Sequence, residues 1–246
     1  MQNPLEFVGY GIIILIVIFV ILNIRVLLQK YKHTENKNTL VFTFAFIMFL
    51  GAIVTLLIQT LTLELDEFIG RMMAILALIF SGTAIVLINY FSFNNTFPEK
   101  KVGLTIIISL VAVIYVSILT HANINGLYGG NLSDIIAGEV AYDPTISLIS
   151  FICLIPLGLI SPIMFFYFSV QSASLNKANS LRSFWMGVAI SAFFSGYILE
   201  VMAIASPIVD ILLIFGRILM FVAALILYIC FSMPDWFKNK IGWVEE

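Results

Sequence analysis

Along this chain, runs of about twenty apolar residues alternate with short intervals that collect Lys, Asn, Asp, Glu and Gly. A hydrocarbon layer of roughly 30 Å is crossed by about 20 helical residues at 1.5 Å per residue. Cutting the apolar runs at charges, prolines and Asn-rich intervals therefore predicts seven membrane-spanning helices, at about 7–28, 40–63, 68–91, 102–120, 145–168, 183–202 and 208–231. The fold class expected is an all-α, seven-transmembrane bundle over 1–233, followed by a short tail at 234–246.

Composition agrees with the pattern. Hydrophobic residues make up 61% of the chain and charged residues 11%, and the mean hydropathy is +1.10, far from the balance of a water-soluble domain. The longest polar interval, 121–144, is too short to fold as a separate domain and is read as a cap loop over one end of the bundle. The first span is expected to stay in the membrane, because Glu6 stands where a signal peptide carries basic residues and no small-residue cleavage site follows.

Charge then orients the bundle. Lys30, Lys32, Lys37, Lys100, Lys101, Lys177 and Arg182 occupy the first, third and fifth connections, and Lys238 and Lys240 the tail, whereas Glu64, Asp66, Glu67, Asp134, Glu139 and Asp143 fall on the other side. The positive-inside rule puts the N-terminus outside and the C-terminus in the cytoplasm of a cell-membrane, multi-pass protein. Trp185, Trp236 and Trp243 then lie at the inner interface, where an aromatic belt belongs.

Two intervals carry local signals. In 121–144, the Asn125-Gly126 and Gly129-Gly130 turns precede a short helix expected to be capped by Ser133, and Asn131-Leu132-Ser133 fits a glycosylation acceptor on the outer side. After the seventh span, Pro234-Asp235-Trp236-Phe237-Lys238 predicts a short interfacial helix, either an anchor or a docking site for a cytosolic protein.

Much chemistry is excluded. Covalent retinal needs a lysine in the last span, and none occurs between Lys177 and Lys238. No H-E-x-x-H, aspartate pair or nucleophile with a base sits at membrane depth, so no enzyme, metal or cofactor is expected. Cys153 and Cys230 are not expected to pair, and the net charge of −2, with dispersed basic residues, disfavours nucleic acid.

The candidate functional residues are the charges inside spans. Arg217 lies near the middle of the seventh span and Asp210 seven residues before it, nearly two turns away on the same face. Glu200 lies close to the outer end of the sixth span, and Arg71 at the outer end of the third, four residues after Glu67. Two readings of Arg217 stand side by side: a structural clamp bonded to Ser191, Ser195 or Thr55, or the wall of a polar cavity that serves an anionic ligand, a permeant ion or a voltage- or ligand-dependent rearrangement. Arg71 and Glu200 are read either as solvated helix ends or as members of one outer charge cluster, and Gln59 adds a polar group facing the interior. Pro156 and Pro162 predict a kink or hinge in the fifth span, and Gly187, Ser191 and Ser195 a small-residue packing face on the sixth.

With its seven tight spans, its outside N-terminus, the stretch Gly216-Arg217-Ile218-Leu219-Met220 and the ending Pro234-Asp235-Trp236-Phe237, the chain resembles the seven-transmembrane sensor regions of prokaryotic, especially archaeal, signalling proteins such as histidine kinases. The resemblance implies an input module that senses a ligand or the membrane state and transmits through its last helix. No output domain follows Glu246, so signalling is expected to need a separate cytosolic partner, and a homo-oligomer is compatible with it. The alternative is a small transporter or channel with Arg217 in the permeation path; no internal repeat or matched pair of broken helices supports that route.

Overall fold

The computed structural model describes residues 4–63, 65–136, 139–203 and 209–243. The elements in order are α1 (Pro4–Thr34), α2 (Lys37–Thr62), α3 (Glu67–Thr96), α4 (Lys101–Leu127), the strands β1 (Ser133–Ile136) and β2 (Glu139–Tyr142), α5 (Pro144–Ser172), α6 (Lys177–Ala203), α7 (Val209–Ser232) and α8 (Asp235–Ile241). Among the described residues, seven helices, α1 to α7, are long and apolar enough to cross a membrane. Large apolar side chains stand exposed along them, including Ile14, Leu61, Ile106, Leu110, Val113 and Ile211, as a surface solvated by lipid tails allows.

The helices outrun the apolar runs that announced them. α4 continues to Leu127, seven residues beyond the expected end at 120, because an α-helical backbone keeps satisfying its own hydrogen bonds wherever the hydrocarbon stops. α5 passes through Pro156 and Pro162 as one unbroken helix. The chain divides into two compact units, and along α5 the division falls between Leu157 and Gly158, between the two prolines.

One unit comprises residues 1–43, 91–101 and 158–246, and so contains α1, α6, α7 and α8 whole. α7 packs against both α6 and α1, and α8 packs against α6. The α6–α7 contact is backbone to backbone: a Cβ on Gly196 would come within 2.5 Å of the Gly216 carbonyl oxygen, and one on Gly216 within 2.8 Å of the Gly196 oxygen. Between α1 and α7, the Asn23 amide donates to its own helix at Phe19 O (2.8 Å) and across to Ala224 O (3.1 Å). Phe19 stands edge-on to Phe221 and Tyr228, with centroids 5.6 and 5.8 Å apart. α5 and α6 are tied by serines that exchange hydroxyls and carbonyls: Ser169 Oγ donates to Ser180 O (2.8 Å) and Ser180 Oγ to Ser169 O (2.7 Å). Where water is absent and lipid is as apolar as leucine, such close small-residue contacts and interhelical hydrogen bonds replace the hydrophobic drive. Gly187 of the predicted small-residue face seats the Phe166 ring, whereas Ser195 on the same stripe is exposed.

The other unit holds residues 44–90 and 102–157. Its two-stranded antiparallel hairpin pairs Ser133 with Tyr142 and Ile135 with Val140. Ile135, Val140 and Tyr142 share the inward face and pack on Leu63 and Ala74. The short helix expected at Ser133 is therefore a strand. The alternation Ser133, Ile135 with Asp134 turned outward has the period of two that a strand requires, and the Ser133 hydroxyl, wanted as a helix cap, is committed elsewhere. Asn89 repeats the arrangement of Asn23, donating to Ile85 O (2.9 Å) and to Leu157 O (3.0 Å).

Candidate functional site

Arg217 projects from α7 eight residues beyond the helix start at Val209. Its Nε donates to Glu200 Oε1 of α6 at 3.1 Å, with the two side chains 16% and 25% exposed. The seam that brings them together is the glycine contact below it, since Gly216, next to Arg217, lets α6 approach and leaves the Glu200 side chain beside the α7 backbone, its Cγ 3.5 Å from where a Gly216 Cβ would stand. α1 supplies the third wall. Gly9 lies under the guanidinium, and a Cβ at that position would overlap Arg217 Nη1.

This arrangement corrects the sequence reading. Ser191 is half-buried, Ser195 is exposed, and neither bonds to Arg217, while Thr55 donates to Gly51 O and Ala52 O of its own helix. The reason is chemical: a carboxylate offers a full counter-charge, which a hydroxyl does not, and a long arginine stem carries its head toward the helix end where Glu200 sits. Glu200 is accordingly an ion-pair partner and not a solvated helix end. The Asp210 side chain lies outside the described residues.

Arg71 is engaged differently. It is 2% exposed, the largest fully buried side chain among the described residues, and so not a solvated helix end either. Its Nε donates to Glu67 Oε1 at 2.7 Å, one turn earlier on α3, and its Nη1 to Ser133 Oγ at 2.8 Å on β1. The Ser133 hydroxyl passes its own proton to Ala122 O of α4 (2.6 Å), and Gly126 leaves the room the guanidinium fills. Arg71 thus pins the hairpin to α3 and α4. Gln59 is buried, and its Oε1 has no partner among the described residues.

Sequence reasoning missed Gly9, Asn23 and Asn89, and gave Ser133 and Gly126 other roles, a helix cap and a turn. The asparagines were detectable, since a lone amide inside an apolar run has to find partners. A glycine acting as a cradle gives no signal until its neighbour across the seam is known. Among the described residues no group of His, Cys, Asp and Glu is placed to hold a metal ion, and Cys153 and Cys230 are free thiols.

Seven apolar spans with charges paired at helix seams define a helical, multi-pass membrane protein. No family model, no curated protein and no solved structure matches the chain.

Proposed function

We propose that the protein is a receptor-like sensor of the cell membrane, with its N-terminus outside, that binds a small anionic ligand at Arg217 and signals through a separate cytosolic protein. One observation carries the reading: the Arg217–Glu200 pair bridges two helices in backbone contact and keeps part of its surface open. A carboxylate ligand competing with Glu200 for the guanidinium gains differential affinity for a state in which the seam is loosened, the requirement for any ligand-driven shift. α7 ends at Ser232, and after Met233 and Pro234 the chain enters α8, which packs on α6 and buries Phe237 and Ile241 while Trp236 stays exposed. Movement at the seam thereby has a mechanical route to a short helix that the lysine distribution assigns to the cytoplasm.

The test uses protein in lipid nanodiscs with Trp185→Phe and Trp243→Phe, so that Trp236 alone reports. A panel of small carboxylates and amino acids is screened by thermal stabilisation, then by Trp236 emission. The sensor reading expects a solute that stabilises the protein, shifts Trp236 emission and loses both effects in Arg217→Leu. A solute that binds, leaves Trp236 unchanged and crosses proteoliposome membranes identifies a transporter instead.

A further inference from the structure

A cavity of about 180 Å³ lies within the first unit, lined by Lys30 of α1, Asn36, Asn38 and Thr39 around the start of α2, Asn95 of α3 and Arg182 of α6. Two cations face this one space, and neither meets an acid among the described residues. Lys30 makes no side-chain hydrogen bond or ion pair among the described residues. Arg182 spends its Nε on Cys230 O at 2.9 Å and lies over the Phe231 ring at 5.7 Å, which fixes the guanidinium plane and leaves its terminal nitrogens without an acceptor among the described residues. Like charges gathered around one cavity repel, and nothing in the packing requires Lys30 to be there.

We propose that this cavity binds a phosphate group. The lining is donor-rich in the way a tetrahedral oxyanion demands: an ammonium, the outer edge of a fixed guanidinium, amides of Asn36, Asn38 and Asn95, and the Thr39 hydroxyl, with the first turn of α2 adding its dipole. A carboxylate has two oxygens to offer these donors and a single charge to offset the two cations. A phosphate has four oxygens and carries up to two charges, and the volume accommodates it together with water. The site is separate from the Arg217 pair and independent of what that pair does. Phosphate reaches it either free or as the phosphomonoester headgroup of phosphatidic acid, which keeps three free oxygens and up to two charges.

Delipidated protein in neutral detergent is titrated with inorganic phosphate, and separately with a short-chain phosphatidic acid, by calorimetry. Phosphate is expected to bind and raise the unfolding temperature of the wild type, and Lys30→Gln to weaken that binding at least about ten-fold, the worth of one charge-assisted hydrogen bond. Because Lys30 holds no structural partner, Lys30→Gln is expected to fold and to be as stable as the ligand-free wild type or slightly more so. Arg182→Lys, which retains the charge and loses the fork, is expected to weaken binding less than Arg182→Gln. Phosphatidic acid that binds in a Lys30-dependent manner and displaces phosphate identifies a headgroup site; binding of phosphate alone identifies a site for the soluble ion. If neither probe binds, or if Lys30→Gln binds both as tightly as the wild type, the proposal is overturned.

Discussion

Gly196 and Gly216 occupy each other's side-chain space. The carbonyl oxygen of each stands 2.5 to 2.8 Å from where the other's Cβ would be, so α6 and α7 meet with no side chain between them at that level. This close approach sets the register that puts Glu200 opposite Arg217, one turn above Gly196 on α6 and one residue beyond Gly216 on α7.

Substituting Gly216→Leu forces the two backbones apart. Overpacking of this kind typically costs about 1–3 kcal/mol, and the cost here falls at or above the top of that range because the obstacle is backbone and not a movable side chain. Thermal unfolding in nanodiscs is expected to show a loss of at least about 3 kcal/mol, with Gly196→Leu matching it. Gly103, where a Cβ meets nothing within 4 Å, supplies the control: Gly103→Leu is expected to change stability by less than about 1 kcal/mol.

Gly9→Val acts on Arg217 without touching its charge. The added side chain takes the place of Nη1, so the guanidinium has to leave its position beside Glu200. The expected result is a loss of about 1–2 kcal/mol that overlaps the loss from Glu200→Gln, with the double variant clearly less damaging than the sum of the two, the signature of residues sharing one interaction. Strictly additive losses would show that α1 does not support the pair.

Ser133→Ala removes one oxygen with two duties, accepting from Arg71 Nη1 and donating to Ala122 O. A buried charged donor is left short of a partner, which costs about 1–3 kcal/mol. Hydrogen exchange is expected to speed up in β1 and β2, with α7 unchanged.

How much of this was legible beforehand follows from where the information lies. The seven spans are written in the apolar runs themselves, because a bilayer demands length and composition before anything else, and α8 is announced by Pro234. The charges at Arg217, Glu200 and Arg71 stand out as costly residues, but which acid meets which arginine depends on how helices distant in sequence are laid side by side. Seventeen residues separate Glu200 from Arg217, and sixty-two separate Arg71 from Ser133. Seven residues separate Asp210 from Arg217, so along the sequence Asp210 is the acid that stands nearest. The hairpin was hidden by a different ambiguity: Ser133 serves equally as a helix cap and as the first residue of a strand, and only the buried Arg71 that takes its hydroxyl decides between them.

Asn23→Leu tests the α1–α7 contact separately from the ion pair. It deletes the interhelical bond to Ala224 O and a buried Oδ1 that has no partner among the described residues, so the gain from removing that oxygen offsets part of the loss. The net change expected is below about 1 kcal/mol, in keeping with the modest worth of single interhelical hydrogen bonds in membranes. A loss above about 2 kcal/mol would mean that the amide carries the contact alone.

The pairing of Arg217 with Glu200 is the claim on which the account of α7 rests, and reversing the charges tests it most directly. Glu200→Arg, Arg217→Glu and the double exchange are compared by thermal unfolding in nanodiscs. Each single variant places like charges face to face at the seam and is expected to lose at least about 2 kcal/mol. The double exchange is expected to recover more than half of the summed loss. A double variant as unstable as the sum of the singles would contradict the pairing.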